Sequence, residues 1–243
     1  MKTRLLHWQR VVMVALLVAF LAGCGEHTEP MPSANSTGEA VGGAVETNAP
    51  DTQPETMEQI VNDLFGSMDD GVYTNDALGV GCRISSDWTY YTEDEIAELN
   101  QTVVEMLSDP DVAMVDPDDL DTINCTVMFA GSSDGLANAN ITMTRLSVIE
   151  AYTLTEDVMA DAALEQVLEA YGSMGFTNCT GSTEVRSILG GEHPVVIIEA
   201  YLNDIVLHQT EVVIKNGRYF GFITATSYID DITDDILSWF YTI

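Results

Sequence analysis

Apolar positions follow three different rhythms along this chain, and each rhythm predicts a different kind of segment. Val11 to Phe20 is apolar without a break, behind the charged Lys2, Arg4 and Arg10, and the run closes on Leu21-Ala22-Gly23-Cys24. It is shorter than the roughly 20 residues that cross a bilayer and matches the roughly 7 to 15 of a secretory leader, so residues 1–23 are expected to be a signal peptide. Residues 24–55 then lose almost every large apolar side chain to Gly, Ser, Thr, Ala and Glu, with Pro30, Pro32, Pro50 and Pro54 among them. Such a stretch cannot bury enough surface to fold and is expected to be a disordered acidic linker, holding the remainder of the chain on the order of 30 Å away from its anchor.

A helical period starts at Thr56. Gln59 stands three residues on as a capping partner, and Met57, Ile60, Val61, Leu64 and Phe65 recur at helical spacing up to Gly66. Residues 56–71 are therefore expected to be a short amphipathic helix and connector, docked on the main domain in preference to a partner. From Val72 alternation takes over, with strands expected at Val72 to Thr74 and Leu78 to Ile84 around an Asn75-Asp76 turn. Thr92 and Glu95 form a capping box for a helix whose stripe is Ile96, Leu99, Val103 and Leu107, stopped at Asp109-Pro110. An acidic loop, Asp111 to Asp121, leads to strands Ile123 to Ala130 and Asn138 to Leu146. A long helix comes next from about Glu156, with Met159, Ala163, Leu164, Val167, Leu168 and Tyr171 inward and Gly172 at its end. Strands at Glu184 to Ile188, Pro194 to Leu202, Ile205 to Lys215 and Arg218 to Thr226 then form a meander, whose Asn216-Gly217 suits the two positive φ angles of a type I′ turn. A terminal helix is expected over Thr233 to Tyr241, with Ile232, Ile236 and Phe240 on one side and Asp230, Asp231, Asp234 and Asp235 at its start, where the helix dipole favours negative charge. Hairpin-joined strands with helices between them make residues 72–243 an α/β domain, an antiparallel sheet flanked by helices.

Charge narrows the partners. Eight Lys and Arg against 39 Asp and Glu give a net charge of −31 over 243 residues. A surface of that sign gains nothing from nucleic acid or an anionic bilayer, which leaves cationic ligands, metal ions and basic peptides, or simply a solvated acidic shell. Beyond Cys24 there are three cysteines, Cys82, Cys125 and Cys179, so at most one internal bridge can form. Cys82 and Cys125 alternate with apolar neighbours and are expected to be buried small hydrophobes, a Cys82 to Cys125 bridge being the alternative.

The tetrapeptide ending at Cys24 resembles the lipobox of bacterial lipoproteins. The resemblance implies that the Cys24 thiol is acylated with diacylglycerol and becomes the mature N-terminus, anchoring the protein to the cell membrane on its extracytoplasmic face. Further on, Tyr73-x-Asn75-x-x-Leu78-Gly79-Val80-Gly81, then Asp87-Trp88, a helix opening at Thr92 and a closing Trp239-Phe240, resemble the PsbP-like domain found in lipoproteins of gut Firmicutes. The chain departs from that pattern where Ser85-Ser86-Asp87 replaces a proline before the tryptophan. The resemblance implies an α/β/α sandwich used for docking, as in photosystem II extrinsic proteins and a Ran-binding transport factor, and it carries over no catalytic residue.

Candidate chemistry is sparse. Gly131-Ser132-Ser133-Asp134-Gly135 matches G-x-S-x-G, which in a hydrolase sits between a strand and a helix; here alternating Ala137, Ala139, Ile141 and Met143 predict a second strand, hence a hairpin tip. A general base would have to be His193, expected to be exposed before Pro194, or His208, expected to be half-buried and hydrogen-bonded on a strand. Asp109 to Asp121 and Asp230 to Asp235 supply oxygen ligands without the spacing of a dedicated calcium loop. The function expected is thus a noncatalytic binding or scaffolding module with no cofactor, tethered to the membrane through Cys24 and facing an unknown protein or cationic ligand. A cell-envelope serine hydrolase using Ser132 or Ser133, and a calcium-dependent surface adhesin, are the alternatives.

Overall fold

Strand β6 (Ala137–Arg145) and strand β10 (Tyr219–Tyr228) lie side by side at the middle of the large sheet: β10 is buried along nearly its whole length, and β6 alternates buried with half-buried residues before a buried end. The computed structural model describes residues 64–100 and 123–243. The expected leader (1–23), Cys24, the expected linker (24–55), residues 56–63, Val103, Leu107 and the Asp109 to Asp121 region lie outside the described residues.

Eleven strands are described, in two sheets whose pairings are all antiparallel. The larger has the order β4 (Trp88–Tyr90), β5 (Ile123–Ser132), β6, β10, β9 (Ile205–Asn216), β8 (Gly191–Leu202), β7 (Thr177–Ile188). After β6 the chain leaves the sheet through helices α2 (Val148–Thr153) and α3 (Glu156–Ser173), re-enters at the far edge as β7, and meanders back until β10 closes against β6. The smaller sheet has the order β1 (Ser67–Asp69), β2 (Val72–Asn75), β3 (Val80–Cys82), β11 (Phe240–Thr242). The remaining helices are α1 (Glu93–Leu99) and α4 (Thr233–Leu237).

Each face of the large sheet has its own core. One face packs Val196, Ile198, Leu207, Val213, Phe220 and Phe222 against Ala160, Ala163, Val167 and Tyr171 of α3. The alanines let the helix approach closely; a Cβ on Gly181 of β7 would stand 2.5 Å from Leu164. The opposite face packs Ala139, Ile141, Met143, Val195, Val212 and Ile223 against the small sheet and α4, through Leu78, Val80, Ile236 and Phe240. Leu64 is fully buried in this second core.

Where the expected elements fall on described residues they are present with shifted limits, and Ser67–Asp69 forms a strand inside the segment expected to be a helix and connector. β7 starts at Thr177, well before Glu184, and α2 is an additional helix, for which Ser147 and Glu150 form a capping box. The terminal helix stops at Leu237, short of Tyr241, because Phe240–Thr242 forms β11 on the edge of β3. Gly81 makes that pairing possible: a Cβ there would meet the Tyr241 ring at 2.5 Å. The Asn216-Gly217 turn also differs from expectation. Asn216 pairs with Tyr219 as the last ladder residue, only Gly217 has positive φ, and a loop opening on a positive-φ glycine follows the II′ pattern. Two positive φ angles occur instead at Leu189 (55°) and Gly190 (76°) between β7 and β8. Cys82 and Cys125 are unbridged and fully buried, and burial pushes both thiols up to about 12.

Candidate functional site

The G-x-S-x-G segment joins β5 to β6 as a hairpin, with Trp88 of β4 paired to Ser132. Ser132 is the hydrogen-bonding hub of that turn: its hydroxyl accepts from the Leu136 N–H (3.1 Å) and the Ala137 N–H (2.9 Å) and sits 2.7 Å from Asp134 Oδ1. Ser133 is exposed and uses its N–H on Asp87 O. The two histidines lie on other strands with other partners. His193 on β8 is half-buried, not exposed, because its Nδ1 meets Glu156 of α3 at 3.2 Å. His208 on β9 is half-buried as expected, 3.8 Å from Glu199. The serine and histidine candidates are thus separate side chains in separate networks. Among the described residues no group of three or more His, Cys, Asp or Glu is arranged to hold a metal ion. In the Asp230 to Asp235 region, Asp231 accepts from the Thr233 N–H (3.1 Å) and hydroxyl (2.8 Å), and Asp234 pairs with Arg186 at 2.7 Å.

A cavity of about 610 Å³ opens instead where the β4–α1 corner faces the β1–β2 hairpin. Four local features create it. β4 holds β5 through only three residue pairs before Tyr91, whose N–H bonds to Phe129 O at 2.8 Å, turns the chain into α1. Thr92 and Glu95 cap that helix reciprocally, as the sequence predicts. A bulge between Thr126 and Met128 then breaks the alternation of β5, so that Val127, Met128 and Phe129 are all buried in succession. On the far wall Gly66, with φ of 65°, lets the chain pass close to β2; a Cβ there would stand 2.4 Å from Thr74 O.

The lining is aromatic and aliphatic: Phe65, Tyr73, Tyr90, Ile96, Val127 and Phe129 face it, and Glu93 stands exposed at its border. The tyrosine hydroxyls are committed to the protein itself. Tyr73 donates to Phe65 O (3.2 Å) and accepts from Asn75 Nδ2 (3.2 Å), while Tyr90 donates to Cys82 O (2.8 Å). Burial raises both phenols well above their ordinary range, so they stay neutral. What the two tyrosines offer a guest is ring surface. A cavity of this size with few free polar groups binds by excluding water from apolar surface, and orientation must come from its border.

Periodicity alone does not single out these residues, yet signals for them exist. Tyr90-Tyr91 directly before a capping box places two aromatic rings at a strand-to-helix junction, and the unbroken Val127-Met128-Phe129 run marks a bulge.

A second polar group lies inside the sheet–helix core. Gln209 Oε1 accepts from the Tyr171 hydroxyl and from Thr226 Oγ1 (3.2 Å), and Gln209 Nε2 donates to Glu211 Oε1 (2.6 Å). Glu211 Oε2 has no partner among the described residues, and burial pushes the carboxyl up to about 7.

No protein-family model and no curated protein matches this chain.

Proposed function

We propose that this chain is a lipid-anchored extracytoplasmic protein whose PsbP-like domain is a noncatalytic binding module, and that the cavity at the β4–α1 corner seats the apolar part of its ligand. The observation that carries the reading is the aromatic lining, whose Tyr73 and Tyr90 hydroxyls are already spent on Phe65 and Cys82 carbonyls. Glu93 at the border and the net charge of −31 favour a ligand that pairs an aromatic or acyl body with a cationic or hydrogen-bond-donating end. The anchor reading rests on the leader and the lipobox-like Leu21-Ala22-Gly23-Cys24. The layered arrangement, helices on one face of an antiparallel sheet and a small sheet with a helix on the other, is compatible with a PsbP-like domain.

Two measurements test it. Ile96 is 8% exposed on the cavity wall, so Ile96→Trp fills space a ligand would use. Binding of an environment-sensitive aromatic dye to the full chain is expected to weaken at least about tenfold in this variant while its circular dichroism is unchanged, since a blocked pocket forfeits about 1.4 kcal/mol or more. Equal binding by the two proteins rejects the cavity as the seat. Cys24→Ser is expected to move the protein from the membrane to the soluble fraction; retention in the membrane rejects the lipid anchor.

A further inference from the structure

The large sheet ends at β7, whose outer side pairs with no strand among the described residues. This edge is 12 residues long and exposed over most of its length, Val185 to 61%. Edges like this are usually blunted by proline, lysine or a bulge, because their free N–H and C=O groups template further pairing. β7 has neither proline nor lysine, and its single irregularity lies at one end, between Thr177 and Thr180.

The phase of the ladder says which groups are free. Ile229 N–H donates to Val206 O, so even-numbered residues of β9 bond toward β10 and odd-numbered ones toward β8. Residues of an antiparallel strand bond alternately to one neighbour and the other. Glu211 therefore exchanges bonds with Val196, Pro194 turns its missing N–H toward β9, and His193, Val195 and Ile197 bond to Arg186, Glu184 and Ser182 of β7. Thr183, Val185 and Ser187 are left with N–H and C=O pointing outward.

That edge is complementary to itself. We propose that β7 pairs antiparallel with β7 of a second copy about a twofold axis at Val185, joining the two large sheets into one. Each Glu184, which already meets Arg186 of its own copy at 2.5 Å, then also faces Arg186 of the other copy, on the side where Arg186 meets Asp234 at 2.7 Å. On the other side the exposed Val185 covers its own counterpart, Thr183 meets Ser187, and about six backbone hydrogen bonds form. The register is specified. Only odd-numbered residues can exchange backbone bonds with one another, and moving the axis to Glu184 or Arg186 sets like charges directly opposite, which destabilises the pair. The overall charge of −31 opposes close approach, but at about 150 mM salt repulsion beyond about 8 Å is screened, and the facing Glu184 and Arg186 are well inside that distance.

The test is cross-linking of the full chain in its membrane at that salt concentration, in a Cys179→Ser background. A bismaleimide spanning about one interstrand spacing is expected to convert Val185→Cys to a species of twice the chain mass, and Ser187→Cys, displaced along the strand from its counterpart, at least about tenfold less. Adding Arg186→Glu to the Val185→Cys chain is expected to abolish the product. Adding Glu184→Arg as well restores the complementary charges and the product. The proposal is overturned if Val185→Cys folds by circular dichroism yet gives no doubled mass, if its product has another partner's mass, if Ser187→Cys links equally well, or if the double exchange fails to restore what the single one removes.

Discussion

Glu211 is the one carboxyl group placed fully inside the sheet–helix core among the described residues, and its cost depends on pH. Its ordinary value of 4.5 is raised to about 7 because burial disfavours the anion and only Gln209 answers it. A carboxyl raised in the native state holds its proton there while the unfolded chain has lost it, so stability falls as pH rises from about 4.5 to about 7 and stays low above. The shift corresponds to about 3 kcal/mol. Glu211→Gln keeps an acceptor for Gln209 and removes the titration, so urea unfolding of the variant is expected to lose about 2.5 kcal/mol less than the parent between pH 5 and pH 8. Parallel pH profiles for the two proteins would contradict this account of the carboxyl. Other titrations cancel in the comparison because the surface is unchanged.

At the scale of elements, the bulged part of β5 depends on a side chain standing in for a strand. β4 reaches only Ala130 to Ser132, which leaves Thr126 without an outer ladder partner, and the Asn100 amide takes that place: its Oδ1 accepts from Thr126 N (2.8 Å) while its Nδ2 donates to Thr126 O (2.6 Å) and to Ile96 O (3.0 Å). Asn100 is 2% exposed, so truncation strands two peptide groups away from water. Asn100→Ala is expected to cost about 2 to 3 kcal/mol in chemical denaturation and to loosen α1, the wall of the cavity. A change under about 0.5 kcal/mol would mean that Asn100 does not hold α1 to β5. The sequence announces α1 through Thr92 and Glu95, but nothing near Asn100 announces its partner 26 positions later. The same holds for turns: a local Asn-Gly preference points to positive φ at 216, and sheet register overrides it by using Asn216 as a ladder residue. Leu189 is forced to φ of 55° because β7 and β8 leave two residues, Leu189 and Gly190, to reverse the chain.

For the molecule as a whole, like charge is the dominant long-range term. With 39 acidic groups against eight basic ones, compaction brings anions closer than in the unfolded chain. Raising monovalent salt from about 10 mM to about 150 mM shortens the screening length from about 30 Å to about 8 Å and is expected to raise the melting temperature by several degrees. A flat dependence in calorimetry would mean that the acids already lie too far apart to repel. The few described cations are placed at joints. Lys215 donates to Ala151 O (2.6 Å) and Leu154 O (2.7 Å) at the end of α2, and Arg186 ties β7 to α4 through Asp234.

By itself the sequence determined whatever depends on neighbours along the chain: a capped helix opening at Thr92, a long helix from about Glu156, and alternating strands around short turns. These are decided by period, propensity and caps, all local quantities. The tertiary structure alone decided which strands meet: β10 against β6 across two helices, β11 on β3 in place of a longer helix, and β7 left at an edge. It also decided that Tyr90, Val127 and Phe129 surround one cavity and that Glu211 is buried with a single donor. Such facts depend on contacts between residues far apart in sequence, whose free energy is set by the surface they jointly hide and by the polar groups they must satisfy, and no local pattern records either.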